Sequence, residues 1–282
     1  MLAPSIRPDD YQRFRQFLEQ TCGIVLGENK QYLVSSRLGQ LMARQGISEL
    51  GVLVDRLDRP GASALRGEVI EAMTTNETSW FRDIYPFHTL NNELFPRFQA
   101  EHRNQIRVWS AGCSSGQEVY SILMALDEYR QGGGRMEGEV VGTDISPNMI
   151  ERGKEGIYAA SEVRRGLSEE RRRRYFDTLS ADRWQVKSSL RHRATFRVHN
   201  LLDSYSPLGR FDAVFCRNVL IYFSMDSRED IIRRIAQTLR PGGYLIVGAS
   251  ESVARNMSEF EMIRCQTGVV YRLRDSRPVL SR

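Results

Sequence analysis

Apolar positions recur at helical spacing over residues 1–73. Tyr11, Phe14, Phe17 and Leu18 follow Asp9 and Asp10, either of which is expected to cap a helix that Gly23 ends. Leu33, Leu38, Leu41 and Met42 predict a second helix, stopped near Gly46. Leu50, Leu53, Val54 and Leu57 predict a third, capped by Ser48 and stopped by Pro60. Leu65, Val69, Ile70 and Met73 predict a fourth, capped by Ser63. Four short helices with short connections make a small all-α bundle.

The period changes after about residue 105. Strands are predicted at 106–110, 139–143, 194–198, 211–216, 244–248, 261–265 and 269–273, and helices at 118–129, 147–153 and 226–238. Strands separated by helices imply an α/β fold whose largely parallel sheet is covered on both faces. The last two strands lie close enough to form an antiparallel hairpin. Residues 161–193 break the alternation, being charged and without a long apolar run, so an inserted subdomain is expected there.

Composition narrows the class. The chain of 282 residues is 41% hydrophobic and 27% charged, which excludes disorder and fibrous repeats. The longest uncharged stretches, 108–117 and 241–250, are too short to cross a bilayer. Charges at Arg7, Asp9, Asp10, Arg13 and Arg15 interrupt any signal-peptide core, so a cytoplasmic protein is expected. Cys22, Cys113, Cys216 and Cys265 show no CxxC spacing, so they are expected to be reduced thiols and no metal site is predicted.

The net charge of +5 is uneven. Residues 1–75 are neutral, 76–160 carry −4, 161–200 carry +6 and 201–282 carry +3. The basic excess includes Arg171, Arg172, Arg173 and Arg174 in succession. It points to a second contact surface or, in a nucleic-acid enzyme, to a polyanion.

The run Val108-Trp-Ser-Ala-Gly-Cys-Ser-Ser-Gly-Gln-Glu118 reads as a strand, a tight small-residue loop and a helix start. Gly112, Ser114, Ser115 and Gly116 let a ligand approach the backbone. The run lacks both the Lys-Ser/Thr of a phosphate loop and the GxGxxG of a dinucleotide fold. Asp144, at the end of the next strand, is placed to accept ribose hydroxyls, although it is also a candidate helix cap, as is Ser146. Glu118 suits an amino group, or alternatively the helix dipole. Together they favour S-adenosylmethionine over NAD. Arg217 and Asn218 follow the strand at 211–216 and are site candidates by position.

These pieces resemble the seven-stranded, Rossmann-like S-adenosylmethionine-dependent methyltransferase fold. Four motifs occur in one order: Thr74-Thr-Asn-Glu-Thr-Ser-Trp-Phe-Arg-Asp83, the Gly-Cys-Ser-Ser-Gly-Gln-Glu loop, Gly-Thr-Asp-Ile-Ser, and Arg-Asn-Val-Leu-Ile-Tyr-Phe. That order resembles the CheR family of chemotaxis-receptor glutamate O-methyltransferases, over roughly residues 8–274.

The resemblance implies a receptor-recognition domain at 1–73, a linker closing on the cofactor at 74–90, and a methyltransferase domain at 91–282 with a small β-subdomain inserted at 161–193. It implies that Asn76, Thr78, Arg82, Glu118, Asp144, Asn200, Leu201, Arg217 and Asn218 bind S-adenosylmethionine. Arg82 and Tyr222 would position the substrate carboxylate; from the residues alone Tyr222 is equally a core tyrosine. A carboxylate is ionised near neutral pH and needs no general base. Accordingly, His88, His102, His192 and His199 lie in no recognisable catalytic motif.

Lys30, Arg37 and Arg44 recur every seven residues, which on one helix lines them along about 21 Å. Taken alone this is a solvated face. The resemblance makes it a surface for the glutamate-rich cytoplasmic helices of methyl-accepting chemotaxis receptors, with the enzyme a monomer peripheral to receptor arrays. Charge reversal at Arg37 and Arg44 is then expected to raise the Michaelis constant for receptor with cofactor binding unchanged. No glycine lies between Gly166 and Gly209, which argues against a peptide-gripping loop in the insertion. The rival functions are a nucleic-acid methyltransferase and a non-catalytic S-adenosylmethionine-binding adaptor. The tail at 275–282 is expected to be disordered.

Overall fold

A computed structural model describes residues 6–253 and 258–274; the 275–282 tail lies outside the described residues. The N-terminal segment folds into α1 (Pro8–Cys22), α2 (Gln31–Arg44), α3 (Leu50–Leu57) and α4 (Ser63–Met73). Tyr11, Phe14, Leu18 and Cys22 form the buried face of α1, and Gly23, with φ 77°, ends it in the left-handed conformation. Burying side chains such as Phe14 and Leu18 stabilises the bundle by about 1.5–3 kcal/mol each.

The expected side-chain caps are absent. The cap positions of α1, α3 and α4 are Arg7, Glu49 and Ala62, and none makes a side-chain cap bond. Asp10 lies in the first turn of α1 instead. It is buried, accepts from Arg7 Nε at 2.7 Å, and abuts Gly51, where a Cβ would come within 2.6 Å of its carboxylate. Tertiary packing has drawn the carboxylate away from the helix end.

A helical stretch that periodicity does not reveal follows: α5 (Tyr85–Thr89), a π-turn at Leu90–Leu94, and α6 (Phe95–Ala100). Pro96 has no N–H for an i−4 bond, and the wider turn before it accommodates that loss.

The alternating part contains β1 (Gln105–Ala111), α7 (Gln117–Gln131), β2 (Glu137–Asp144) and α8 (Pro147–Glu155). The insertion supplies β3 (Ile157–Ala159), α9 (Ala160–Arg164), α10 (Glu169–Tyr175), β4 (Phe176–Ser180), β5 (Arg183–Val186) and α11 (Ser188–Arg191). Then come β6 (Ala194–Val198), β7 (Phe211–Cys216), α12 (Met225–Thr238), β8 (Leu239–Val247), β9 (Phe260–Arg264) and β10 (Val269–Leu273).

Seven strands form one sheet in the order β6-β2-β1-β7-β8-β10-β9, parallel except for the antiparallel pairs that β10 makes. The inserted strands form a separate antiparallel sheet, β3-β5-β4. Residues 239–243, between the predicted helix and strand, are already part of β8. They carry a register shift opposite β7, where Phe211 faces Leu239 and Ala213 faces Tyr244.

Register explains where chemistry collects. Ala111 pairs with Thr143 on one side and Cys216 on the other, and Asp144 pairs with Val198. The loops after β1, β2, β6 and β7 therefore leave the sheet along one edge, as ligand-binding loops of parallel sheets do. The helical segment docks at that edge. Val25 N–H donates to Tyr222 O (2.8 Å), Ser146 Oγ to Glu71 Oε1 (2.6 Å), and the Phe223 ring leaves no room for a Cβ on Gly23. Among the described residues, no helix is long and apolar enough to cross a membrane.

Candidate active site

A cleft of about 1000 Å³, including its open mouth, lies between the helical segment and this sheet edge. Asn76, Thr78, Arg82, Glu118, Asp144, Asn200, Leu201, Arg217, Asn218 and Tyr222 all border it. Lys30, Arg37 and Arg44 do not, being on or beside α2.

The floor is the loop after β1. Gly112 (φ 73°) passes so close to Val219 that a Cβ would sit 3.0 Å from it, and Gly116 (φ 94°) packs against Phe196. Ser114 also has a left-handed backbone, φ 49°, and its hydroxyl donates to Asn76 O at 2.9 Å. The loop thus holds the segment at residues 74–84, a strap across the cleft.

Asp144 is buried and fixed by two backbone donors, Ser114 N–H at 2.8 Å and Ser146 N–H at 3.0 Å. Burial pushes its carboxyl above the ordinary 3.8, opposed by these two bonds. Ser146, not Asp144, caps α8, its hydroxyl accepting from Met149 N–H. That leaves Asp144 available to accept hydroxyls such as those of a ribose.

Glu118, in the first turn of α7, accepts from Ser110 Oγ and from Arg217 Nη1, each at 2.7 Å. Arg217 is no loop-surface cation: its side chain is 1% exposed. It also donates from Nη2 to Asp83 Oδ2 at 2.7 Å and to Arg82 O at 2.8 Å. One buried guanidinium therefore joins α7 to the strap. Three strap residues without the freedom of glycine, Phe81, Asp83 and Ile84, have positive φ. Such strain persists only where surrounding contacts hold it. Arg82 is half-buried, with Nη1 donating to Glu77 O at 2.9 Å.

Asn218 (φ 57°) is fixed by Glu251, whose Oε2 accepts from both Asn218 N–H (2.7 Å) and Gly248 N–H (2.8 Å). Asn200 spends part of its amide on the helical segment, donating to Thr21 O at 2.7 Å, while Oδ1 accepts from Leu202 N–H. Leu201 is buried, and Tyr222 is half-buried, packed on the core and bordering the cleft.

Sequence reading missed Asp83, Glu251 and His199. Asp83 ends the motif at residues 74–83, but its partner is 134 residues away. His199 borders the cleft, and burial lowers its pKa, so it is neutral at neutral pH. Two thiols border it as well. Burial pushes Cys22 up to about 11 and Cys113 well above its usual value, so both stay protonated and poorly nucleophilic.

The basic stripe on α2 is altered. Arg37 is half-buried and committed: Nη1 donates to Met73 O (2.6 Å) and Thr74 O (3.2 Å), and Nη2 to Thr75 Oγ1 (2.9 Å). It closes the C-terminus of α4 and holds the start of the strap. Lys30 and Arg44 are exposed, with Arg44 Nη2 3.6 Å from Glu68. Part of the +6 segment finds acids outside it: Arg165 pairs with Glu77, Arg171 with Glu128, and Arg193 with Asp127.

The residues fit S-adenosylmethionine: a small-residue floor, a buried carboxylate able to accept hydroxyls, and a second carboxylate beside a buried guanidinium. Residues 76–269 match the family description "CheR methyltransferase, SAM binding domain", and residues 9–74 match "CheR methyltransferase, all-alpha domain". The chemotaxis protein methyltransferase Cher2 of Pseudomonas putida is 52% identical over 93% of this chain and 97% of its own length. Chemotaxis protein methyltransferase 1 of Pseudomonas aeruginosa is 51% identical over the same shares. The chemotaxis protein methyltransferase of Salmonella typhimurium is 36% identical over 89% of this chain and 86% of its own. With the sheet order, the cleft and these matches in agreement, the chain belongs to the CheR family of chemotaxis protein methyltransferases, with S-adenosylmethionine as methyl donor.

Proposed function

We propose that the chain methylates glutamate side chains of methyl-accepting chemotaxis receptors, giving glutamate methyl esters and S-adenosylhomocysteine. The observation that carries the reading is the convergence of residues from four distant motifs on one cleft that includes Arg82 and Tyr222. S-adenosylmethionine supplies an electrophilic methyl group when bound. Asp144 takes the ribose side, Glu118 the amino group of the methionine part, and Asn200 and Leu201 the adenine side. Asn76, Thr78 and Arg82 close from the strap, while Arg217 and Asn218 complete the wall.

Arg82 and Tyr222 orient the incoming carboxylate by hydrogen bonds. The side chain of a glutamate is already ionised, so alignment and exclusion of water suffice. Two protonated thiols and a neutral imidazole beside the cleft are consistent with a reaction that needs no activated protein nucleophile. Residues 1–73 serve as the receptor-facing domain, 74–90 as the linker and 91–282 as the transferase domain. The exposed Lys30 and Arg44 give a basic surface for an acidic receptor helix on the cytoplasmic side of the membrane.

The test is transfer of radiolabelled methyl from S-adenosylmethionine to receptor-containing membranes, followed by alkali. Methyl esters release methanol and methylated amines do not, so alkali-stable label overturns the reading. Arg82→Ala is expected to slow transfer more than tenfold in a folded protein. Pairing of Arg165, Arg171 and Arg193 with acids elsewhere in the fold reduces the charge available to a nucleic-acid substrate.

A further inference from the structure

The inserted subdomain grips the strap, and its arginine run takes part. The indole of Trp80 is buried edge-on between Tyr158 of β3 and Phe176 of β4, with ring centroids 4.9 and 5.2 Å away. Gly166 lies so close to the strap that a Cβ there would be 2.1 Å from Trp80 O. Arg165 Nη2 reaches Glu77 Oε1 at 2.6 Å. Arg171 lies over the face of Phe81, its guanidinium carbon 3.6 Å from the ring centroid. The same guanidinium bonds twice to Glu128 of α7, at 2.7 and 2.8 Å.

Phe81 is the residue that needs such support. It is buried, has φ 48°, and donates its N–H to Ser121 Oγ of α7 at 3.0 Å. An aromatic residue in the left-handed region is held there only by its surroundings. The next residue, Arg82, borders the cleft, and its carbonyl is held by Arg217. Arg171 thus joins the strap to α7, the helix whose first turn carries Glu118. The planar fork of arginine stacks and makes two parallel bonds at once, which an ammonium does not do.

We infer that Arg171 is a positioning residue for cofactor binding, acting through Phe81 to set the strap residues Thr78 and Arg82 against the cleft. This rests on the reading of residues 76–82 as the cofactor-side strap. The inserted subdomain is then part of the cofactor machinery, not only a surface appended to it.

The test is calorimetric binding of S-adenosylhomocysteine to the full chain. Arg171→Ala is expected to weaken binding by about tenfold or more, and Arg171→Lys by several-fold, because lysine keeps the charge but loses the fork. In turnover assays, the KM for S-adenosylmethionine is expected to rise more than kcat falls. Arg172→Ala is the control for general damage. Arg172 stacks on Trp184 and pairs with Glu169 within the subdomain, so this variant should lower the unfolding midpoint and leave binding within twofold. Arg173→Ala, with a side chain 74% exposed, should change neither.

Binding by Arg171→Ala within twofold of the parent overturns the inference, and so does an equal loss in Arg172→Ala. Asn76→Ala and Thr78→Ala separate it from the strap reading. If they weaken binding and Arg171→Ala does not, Arg171 alone is refuted. If Arg171→Ala weakens binding and they do not, the route through the strap is refuted.

Discussion

Replacing Arg217 by methionine removes the cation on which the cleft wall turns. The side chain is 1% exposed and makes three short bonds: to Glu118 Oε2, Asp83 Oδ2 and Arg82 O. Methionine occupies similar volume but leaves Glu118, 14% exposed, with the Ser110 hydroxyl and no cation. Breaking a buried pair by removing one partner costs about 3–5 kcal/mol. The Asp83 contact is 35% exposed and is discounted for solvent screening, so the low end, about 3 kcal/mol, is the better figure. For a chain of this size that lowers the unfolding midpoint by roughly 6–12 °C.

The double variant Arg217→Met/Glu118→Gln removes both charges and should recover much of the loss, because the cost comes from stranding one charge. A double-mutant cycle from thermal unfolding of the cofactor-free protein should give a coupling of at least about 1.5 kcal/mol. Additive losses, with coupling under about 0.5 kcal/mol, would refute the claim that Arg217 and Glu118 stabilise one another. S-adenosylhomocysteine affinity should not recover in the double variant, since Glu118 itself is proposed to hold the amino group.

Other outcomes follow from particular contacts. Gly166→Ala meets Trp80 O at 2.1 Å from a backbone with φ 105°, so a loss of about 1–3 kcal/mol in stability is expected, with weaker cofactor binding. An unfolding midpoint equal to the parent's would show that the subdomain does not press on the strap. The folded pKa of Asp144 lies above its unfolded value, so its contribution to stability is present at pH below the unfolded value and is lost as pH rises through the folded value. At neutral pH its ionised form costs stability. Asp144→Asn removes that charge but offers one acceptor to the two backbone N–H donors of Ser114 and Ser146, so the midpoint should not rise, while S-adenosylhomocysteine binding weakens at least tenfold. In the parent protein that affinity should fall on acidification from a pH above 3.8, and a flat profile down to pH 4 would contradict this. Arg37→Glu should weaken S-adenosylhomocysteine binding and Arg44→Glu should not, because only Arg37 holds residues 73–75. Equal affinity in both would remove the link between α2 and the strap.

Local patterning is enough to read the α/β plan. Period-2 and period-3.6 patterns are local and survive without tertiary information, which is why the seven strands of the main sheet and the four N-terminal helices were legible. The motif loops were legible too, because tight turns at a strand end demand small residues at fixed positions. Elements with weaker local signals were not: the π-turn before Pro96, and three short inserted strands among charged residues. Arg7, Glu49 and Ala62 take the cap positions in place of Asp9, Asp10, Ser48 and Ser63, and at Asp10 packing against Gly51 overrides a modest local preference.

The roles of the charges depend on contacts between residues far apart in the chain. Arg217 finds Asp83 across 134 residues, and Arg37 turns from a presumed receptor face to the backbone of the strap. The arginines at 165, 171 and 193 meet acids from the 76–160 segment, so part of the opposite excesses of the two segments is offset where they touch. Composition counts charge along the chain. Burial, dielectric and partner distance set its effect, and those exist only once the chain has folded.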